Sequence, residues 1–283
     1  MLTNKDVLNQ PVTPAPAASR QRTVAANSTI LFLLAYLLCY LASQLATVAA
    51  AFSARIPTVF HPGHLEFKIT DAAWRSADVV SVYAAGPAVA LALAFLAAVF
   101  FMIVRKKRGL QKTFFLWTFL HGCNLFFGAL IAGTITKSGF WFALRWSGFN
   151  DTALWFVAFF FILILLGIGV LAAPAFLFSC DSISLMQFQN RAKMLAATVI
   201  HPWLFGSFFL VLLKFPDLQY YESLQIFTLM LILLPVYFLN QQNLFSETVE
   251  MPKKTRLAQT ALVLLVIIAA AFRLFLQNGR LIG

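Results

Sequence analysis

Few side chains in this sequence have the chemistry to act on anything, and most of those lie in apolar surroundings. "HGCNLFFGALIAGT", residues 121–134, opens with His121 and Asn124 and continues without a charge. At ~100° per residue His121, Asn124, Gly128 and Ala132 project from one side of a helix. Gly128, Ala132 and Thr136 form a small-residue stripe on that side, of the kind that lets a second helix approach closely. An imidazole or amide facing lipid would leave its hydrogen-bonding groups unsatisfied, so this face is expected to pack on protein.

His201 supplies a partner at similar depth. It follows Lys193 by eight residues, as His121 follows Lys112 by nine, which puts both imidazoles roughly 12–14 Å in from the same end. Pro202 has no N–H to give, so the Thr198 carbonyl four residues earlier needs another donor. A hydrogen-bonded cluster of His121, Asn124 and His201 is the structural expectation, with a nearby histidine or asparagine serving that carbonyl. A proton or ligand pathway through the same residues is the functional alternative. The matched depth also meets the least requirement of one haem, but no second histidine pair suits a two-haem carrier.

Further along, His61 and His64 flank Pro62-Gly63 in "HPGHLEFKITDAAWRSAD", with Glu66, Asp71 and Asp78 beyond. Two histidines around a turn can bind zinc, which takes three or four imidazole, thiolate or carboxylate ligands. A solvated turn explains the same spacing. Neither zinc nor haem is expected as a resident cofactor. Asp78, Asp151 and Glu222 fall at helix starts, where a carboxylate favours the positive end of the helix dipole. No Walker loop, dinucleotide glycine pattern or rhomboid-type Gly-x-Ser-Gly string occurs. With no intact catalytic motif, an enzyme is not the expected reading.

The elements that position these residues are membrane spans. The chain has 283 residues, 61% hydrophobic and only 11% charged, where soluble domains carry about 25% charge. Apolar runs of roughly 20 residues cross a ~30 Å hydrocarbon layer as helix. The fold class is therefore all-α, a polytopic transmembrane bundle of about seven spans: 29–52, 79–104, 113–135, 153–178, 194–213, 223–240 and 257–276. Residues 1–28, with "PVTPAPAASRQR", are expected to be a disordered tail, and 277–283 a short one. The first hydrophobic run is too long for a cleaved signal peptide and reads as a retained anchor.

The net charge of +11 resides mainly beside the spans, and no basic face alternates with aromatics to suggest nucleic acid. The "RKKRGLQK" block, residues 105–112, places the second turn and the amino terminus in the cytoplasm by the positive-inside rule. "KSGFWFALRWSGFND", residues 137–151, suits the headgroup layer as an anchor lying flat or dipping into the membrane. Cys39 and Cys123 fall in spans, and no CxxC pair exists.

The first two helices resemble the site-2 protease family of intramembrane zinc metalloproteases. That family carries H-E-x-x-H on one helix and a Gly-Pro motif followed by asparagine on a later one. In "YLASQLATVAAAF" Ser43, Gln44 and Thr47 stand at the H-E-x-x-H positions. "YAAGPAVALALAFLAA" supplies Gly86-Pro87, with Ala90 in place of the asparagine, and no Asp-Gly zinc-ligand motif follows. The resemblance implies a scaffold whose chemistry is gone, since serine, glutamine and threonine cannot activate a zinc-bound water. "RGLQKTFFLWTFLHGCNLFFGALIAGT" also resembles an uncharacterised bacterial membrane-protein family.

Three functions follow as expectations. The first is a non-catalytic protein of the bacterial inner membrane that binds or organises another membrane component, a membrane-protein partner or a second copy. The second is a small transporter or channel built on the His/Asn cluster. The third is a metal-dependent enzyme acting at the outer face through His61 and His64.

Overall fold

The computed structural model describes residues 17–105, 109–179, 191–241 and 256–282. Among them seven helices are long and apolar enough to cross a membrane. Helix α1 is Ala17–Ser53, α2 Ser76–Val104, α3 Gln111–Thr136, α5 Asp151–Ser179, α6 residues 191–214, α7 Tyr220–Gln241 and α8 Gln259–Leu276. A short helix α4, Phe140–Trp146, lies between α3 and α5. The spans expected from hydrophobic length are all present, within a few residues at most ends.

The exceptions are at the termini. Helix α1 begins at Ala17, so residues 17–28 are not the tail expected from their composition. Asn27 and Ser28 are buried and hold two other helices. Asn27 Nδ2 donates to the Arg256 carbonyl, Asn27 Oδ1 accepts from the Ala258 amide, and Ser28 Oγ donates to the Thr198 carbonyl. The last residues likewise form a strand. Thr58–Phe60 (β1) pairs antiparallel with both Leu65–Phe67 (β2) and Arg280–Ile282 (β3), in the order β2-β1-β3.

That small sheet fixes which connections share a side. It joins the α1–α2 loop to the carboxyl terminus, and Gly63 in its hairpin lies so close to the α6–α7 turn that a Cβ would strike the Asp217 carbonyl. Helix α4 belongs to the same side, because Gly139 abuts Tyr221 at the start of α7. Loops after odd-numbered crossings therefore gather at one end of the bundle, the sheet end, as alternating passage of seven spans requires. The aromatic segment expected as an anchor is only partly one. Phe140 and Ala143 are buried against the bundle, while Trp146 and Phe149 are exposed.

Helices α3 and α6 each contain one π turn, at Asn124–Gly128 and Ala196–Ile200, where one extra residue per turn re-aims the side chains beyond it. The second precedes His201-Pro202, and the carbonyl left without a proline donor is served by Ser28 Oγ at 2.8 Å. Trp117 Nε1 donates in turn to that Oγ at 3.1 Å. A serine, not the expected histidine or asparagine, thus ties α1, α3 and α6 at one level. Ser28→Ala strands both the indole N–H and the carbonyl, and is expected to lower stability by about 1–2 kcal/mol. Detergent-titrated unfolding followed by tryptophan fluorescence measures it.

Candidate functional site

The expected cluster is dispersed. His121 is only 2% exposed and sits among rings, with Phe32, Tyr36 and Trp117 centroids at 4.4, 5.4 and 5.9 Å and its Nε2 unpartnered. Asn124 turns to α7 instead. Its Nδ2 donates to the Gln225 carbonyl at 2.7 Å and its Oδ1 accepts from Thr228 Oγ1 at 2.9 Å. Three residues of helix separate the two side chains by about 60°, enough to serve different neighbours. Gly128 permits the approach, since a Cβ there would meet Thr228 and Asn124. His201 lines a recess between α1, α6 and α8, with its ring 6.0 Å from that of Phe205 and its Nδ1 unpartnered. None of the described hydrogen bonds joins the three.

The positions drawn from the site-2 protease resemblance do come together. Ser43, Gln44 and Thr47 occupy one face of α1, and Gly86-Pro87 lies against them on α2. A Cβ on Gly86 would crowd Thr47 Oγ1 and Ser43 Oγ, so the missing side chain is what lets the helices touch. With α7 opposite and the β1–β2 hairpin and α4 above, they enclose a cavity of about 300 Å³ at the sheet end. Gln225 and Glu222 of α7, His64 of the hairpin and Phe140 of α4 complete its wall.

Glu222 and Tyr40 of that wall belong to a group that sequence reasoning missed. Lys214, the last residue of α6, is 1% exposed, and Glu222, in the first turn of α7, is 5% exposed. Lys214 Nζ donates to Glu222 Oε2 at 2.7 Å and to Tyr36 Oη at 2.8 Å, and stands 3.5 Å from the Tyr40 ring centroid. Tyr40 Oη donates to Glu222 Oε1 at 3.1 Å. Both carboxylate oxygens and two ammonium protons are thus engaged, and the tyrosines shield the pair from its apolar surroundings. Burying two charges costs several kcal/mol each unless they are so bonded. The available signal was a lysine and a glutamate at facing ends of two helices, with Tyr36 and Tyr40 one helical turn apart on a third.

The cavity wall is chiefly neutral. Ser43, Thr47, Gln44 and Gln225 offer hydroxyls and amides that can both give and accept hydrogen bonds. Its one carboxylate is committed to Lys214 and Tyr40, and its one imidazole, His64, has Nδ1 at 3.3 Å from the Asp217 carbonyl. Zinc, which takes three or four such ligands, does not fit a wall that offers one imidazole and one carboxylate already engaged by Lys214 and Tyr40.

At the hairpin, His61 and His64 stack with centroids 4.7 Å apart and planes at 11°. Ring lone pairs lie in those nearly parallel planes and do not converge on a point. His61 Nε2 lies 3.6 Å from Glu66 Oε2, and His64 Nδ1 is 3.3 Å from the Asp217 carbonyl. Among the described residues no group of three or more histidine, cysteine or acidic side chains could hold a metal. The Lys68 hydrogen bond foremost, with His61 adding, holds the exposed Glu66 carboxyl below the usual carboxylate range. Its small support for the hairpin is complete above the ordinary carboxylate pKa and fades as pH falls through the lowered value.

The class of protein these features define is an integral membrane bundle of seven candidate spans with one polar cavity under a sheet-capped end. Comparison with family models, curated proteins and solved structures finds no match to this chain.

Proposed function

We propose that this chain is a non-catalytic multi-pass protein whose sheet-end cavity holds a polar segment of another membrane component. It resembles a site-2 protease-like scaffold in which the water-activating positions have become a neutral binding wall. The observation that carries the reading is the convergence of Ser43, Gln44, Thr47 and Pro87 on that cavity, with Gly86 packed directly against Ser43 and Thr47. Its volume is at the lower end of small-ligand sites, so it suits one side chain, a short stretch of backbone or a headgroup rather than a whole solute. Inside hydrocarbon such a wall is stable only when its polar groups find partners. By the positive-inside rule the sheet end faces away from the cytoplasm, in a bacterial inner membrane.

The test is co-purification from native membranes in mild detergent. Wild-type protein is expected to retain a partner in fixed proportion, and Gln44→Leu, which removes one amide from the wall, to retain about fivefold less at equal folded yield. Reproducibly monomeric protein that passes solute would contradict the reading.

A second reading has its own observation. Glu222, Lys214, Tyr40 and Tyr36 form a continuous bonded group whose last ring lies 5.4 Å from His121. Ionisable residues in a membrane interior often line ion or proton paths. In sealed liposomes this reading expects a pH-driven flux that His121→Ala abolishes without loss of folded protein. Equal loss of folded protein would assign His121 to packing.

A further inference from the structure

Helix α8 stands off from the bundle along its middle. It is fastened at both ends: Asn27 holds the Arg256 carbonyl and the Ala258 amide, each at 2.8 Å, and Arg273 Nη1 donates to the Phe215 carbonyl at 2.6 Å. Phe272 and Leu276, its buried residues, both lie in the last turns. Between the fastenings a recess of about 950 Å³ opens, floored by α1 and α6. It runs beside α1 from Arg22 to Leu37, roughly 22 Å of helix, against ~15 Å for half a hydrocarbon layer.

Two physical constraints identify what fills it. The lining between those ends is almost wholly aliphatic and aromatic, including Ile30, Leu33, Phe209 and Val266. Apolar cavities do not hold water, and the surrounding solvent at this depth is acyl chain. The rim at the Arg22 end is cationic. Arg22 lines the recess and is exposed, and the exposed Lys193 and Arg256 belong to backbone held beside it: Gln21 bonds the Lys193 carbonyl and Asn27 the Arg256 carbonyl. Deeper in, His201 lines the recess beside Phe205.

We propose that the α1/α6/α8 recess is a binding site for one anionic glycerophospholipid. Its acyl chains lie along α1 and its phosphate meets Arg22, Lys193 and Arg256. The site is at the opposite end of the bundle from the polar cavity and does not depend on what that cavity binds.

Native mass spectrometry of the full chain tests it, after delipidation in mild detergent and incubation with equimolar phosphatidylglycerol and phosphatidylcholine. Wild type is expected to retain one phosphatidylglycerol with a preference on the order of tenfold, from the pull of several cations on an anionic headgroup. Arg22→Gln/Arg256→Gln is expected to keep bound lipid but lose that preference. Ala26→Trp, which fills the recess, is expected to reduce retention of both lipids. Equal retention of the two lipids by wild type overturns the proposal, even if the charge variants fail to fold. So does unchanged retention by Ala26→Trp. Absence of any retained lipid from wild type also overturns it and gives the recess to another part of the chain.

Discussion

Glu222→Leu is expected to destabilise the protein by about 3–5 kcal/mol, the largest effect of any single change considered, because it leaves Lys214 buried without its counter-charge. Lys214 Nζ would keep only the Tyr36 hydroxyl and the face of Tyr40. Lys214→Met alone is expected to cost a comparable amount by stranding the carboxylate. The double variant Lys214→Met/Glu222→Leu should recover most of the loss, since two apolar side chains fill the site without desolvated charge. The denaturant midpoints of the four proteins form a double-mutant cycle, and a large coupling energy is the expected result. Additive losses would mean that the pair does not act as a unit.

The second large effect separates two glycines on one helix. Gly169 of α5 is buried where a Cβ would collide with the Ile232 carbonyl and crowd Pro235 of α7, and backbone cannot swing aside. Gly169→Ala is expected to cost about 1–3 kcal/mol, and Gly169→Leu more. Gly167, two residues earlier, is exposed, with nothing within 4 Å of the corresponding position. Gly167→Ala should be neutral or stabilising by about 0.5–1 kcal/mol through helix propensity. The same chemical change thus has opposite signs 200° apart around one helix. Unfolding midpoints of the two alanine variants measure the contrast, and α5 packs otherwise than described if they coincide.

The spans were legible because hydrocarbon thickness fixes their length, and that signal needs no knowledge of neighbours. Residues 17–28 escaped it because they carry charge and proline-rich flanking sequence, while their helix is held by Asn27 and Ser28 reaching segments 170 or more residues away. The three-residue strands have no period long enough to read, and β3 exists only through its partner β1. The fate of the Thr198 carbonyl shows both sides. Pro202 announces that the carbonyl needs a donor, but only packing decides that Ser28 supplies it.

The candidate site divides in the same way. Ser43, Gln44 and Thr47 share a face by helical spacing alone, and the glycine before Pro87 marks a close approach. Tyr40 shares that face by the same spacing, but Gln225 and Glu222 join them through tertiary contacts that no local pattern carries. Lys214 and Glu222 each have a sufficient separate explanation, a cation at an interface and an acid at a helix start. The α6–α7 turn instead folds them onto one another and buries both. His121 and Asn124 look like a pair in the sequence because spacing gives direction around a helix. It does not give the identity of the neighbour in that direction, and each found a different one.

The most direct test of the binding role compares two adjacent residues of α1. Gln44 faces the cavity, and Leu45 is 56% exposed on the outside of the bundle. A photo-reactive amino acid is placed at each position in turn, and native membranes are irradiated. From position 44 the account predicts one discrete adduct, competed away as the partner is depleted, and from position 45 only bulk lipid. Identical product patterns from the two positions, or no adduct at 44 in correctly folded protein, would contradict it.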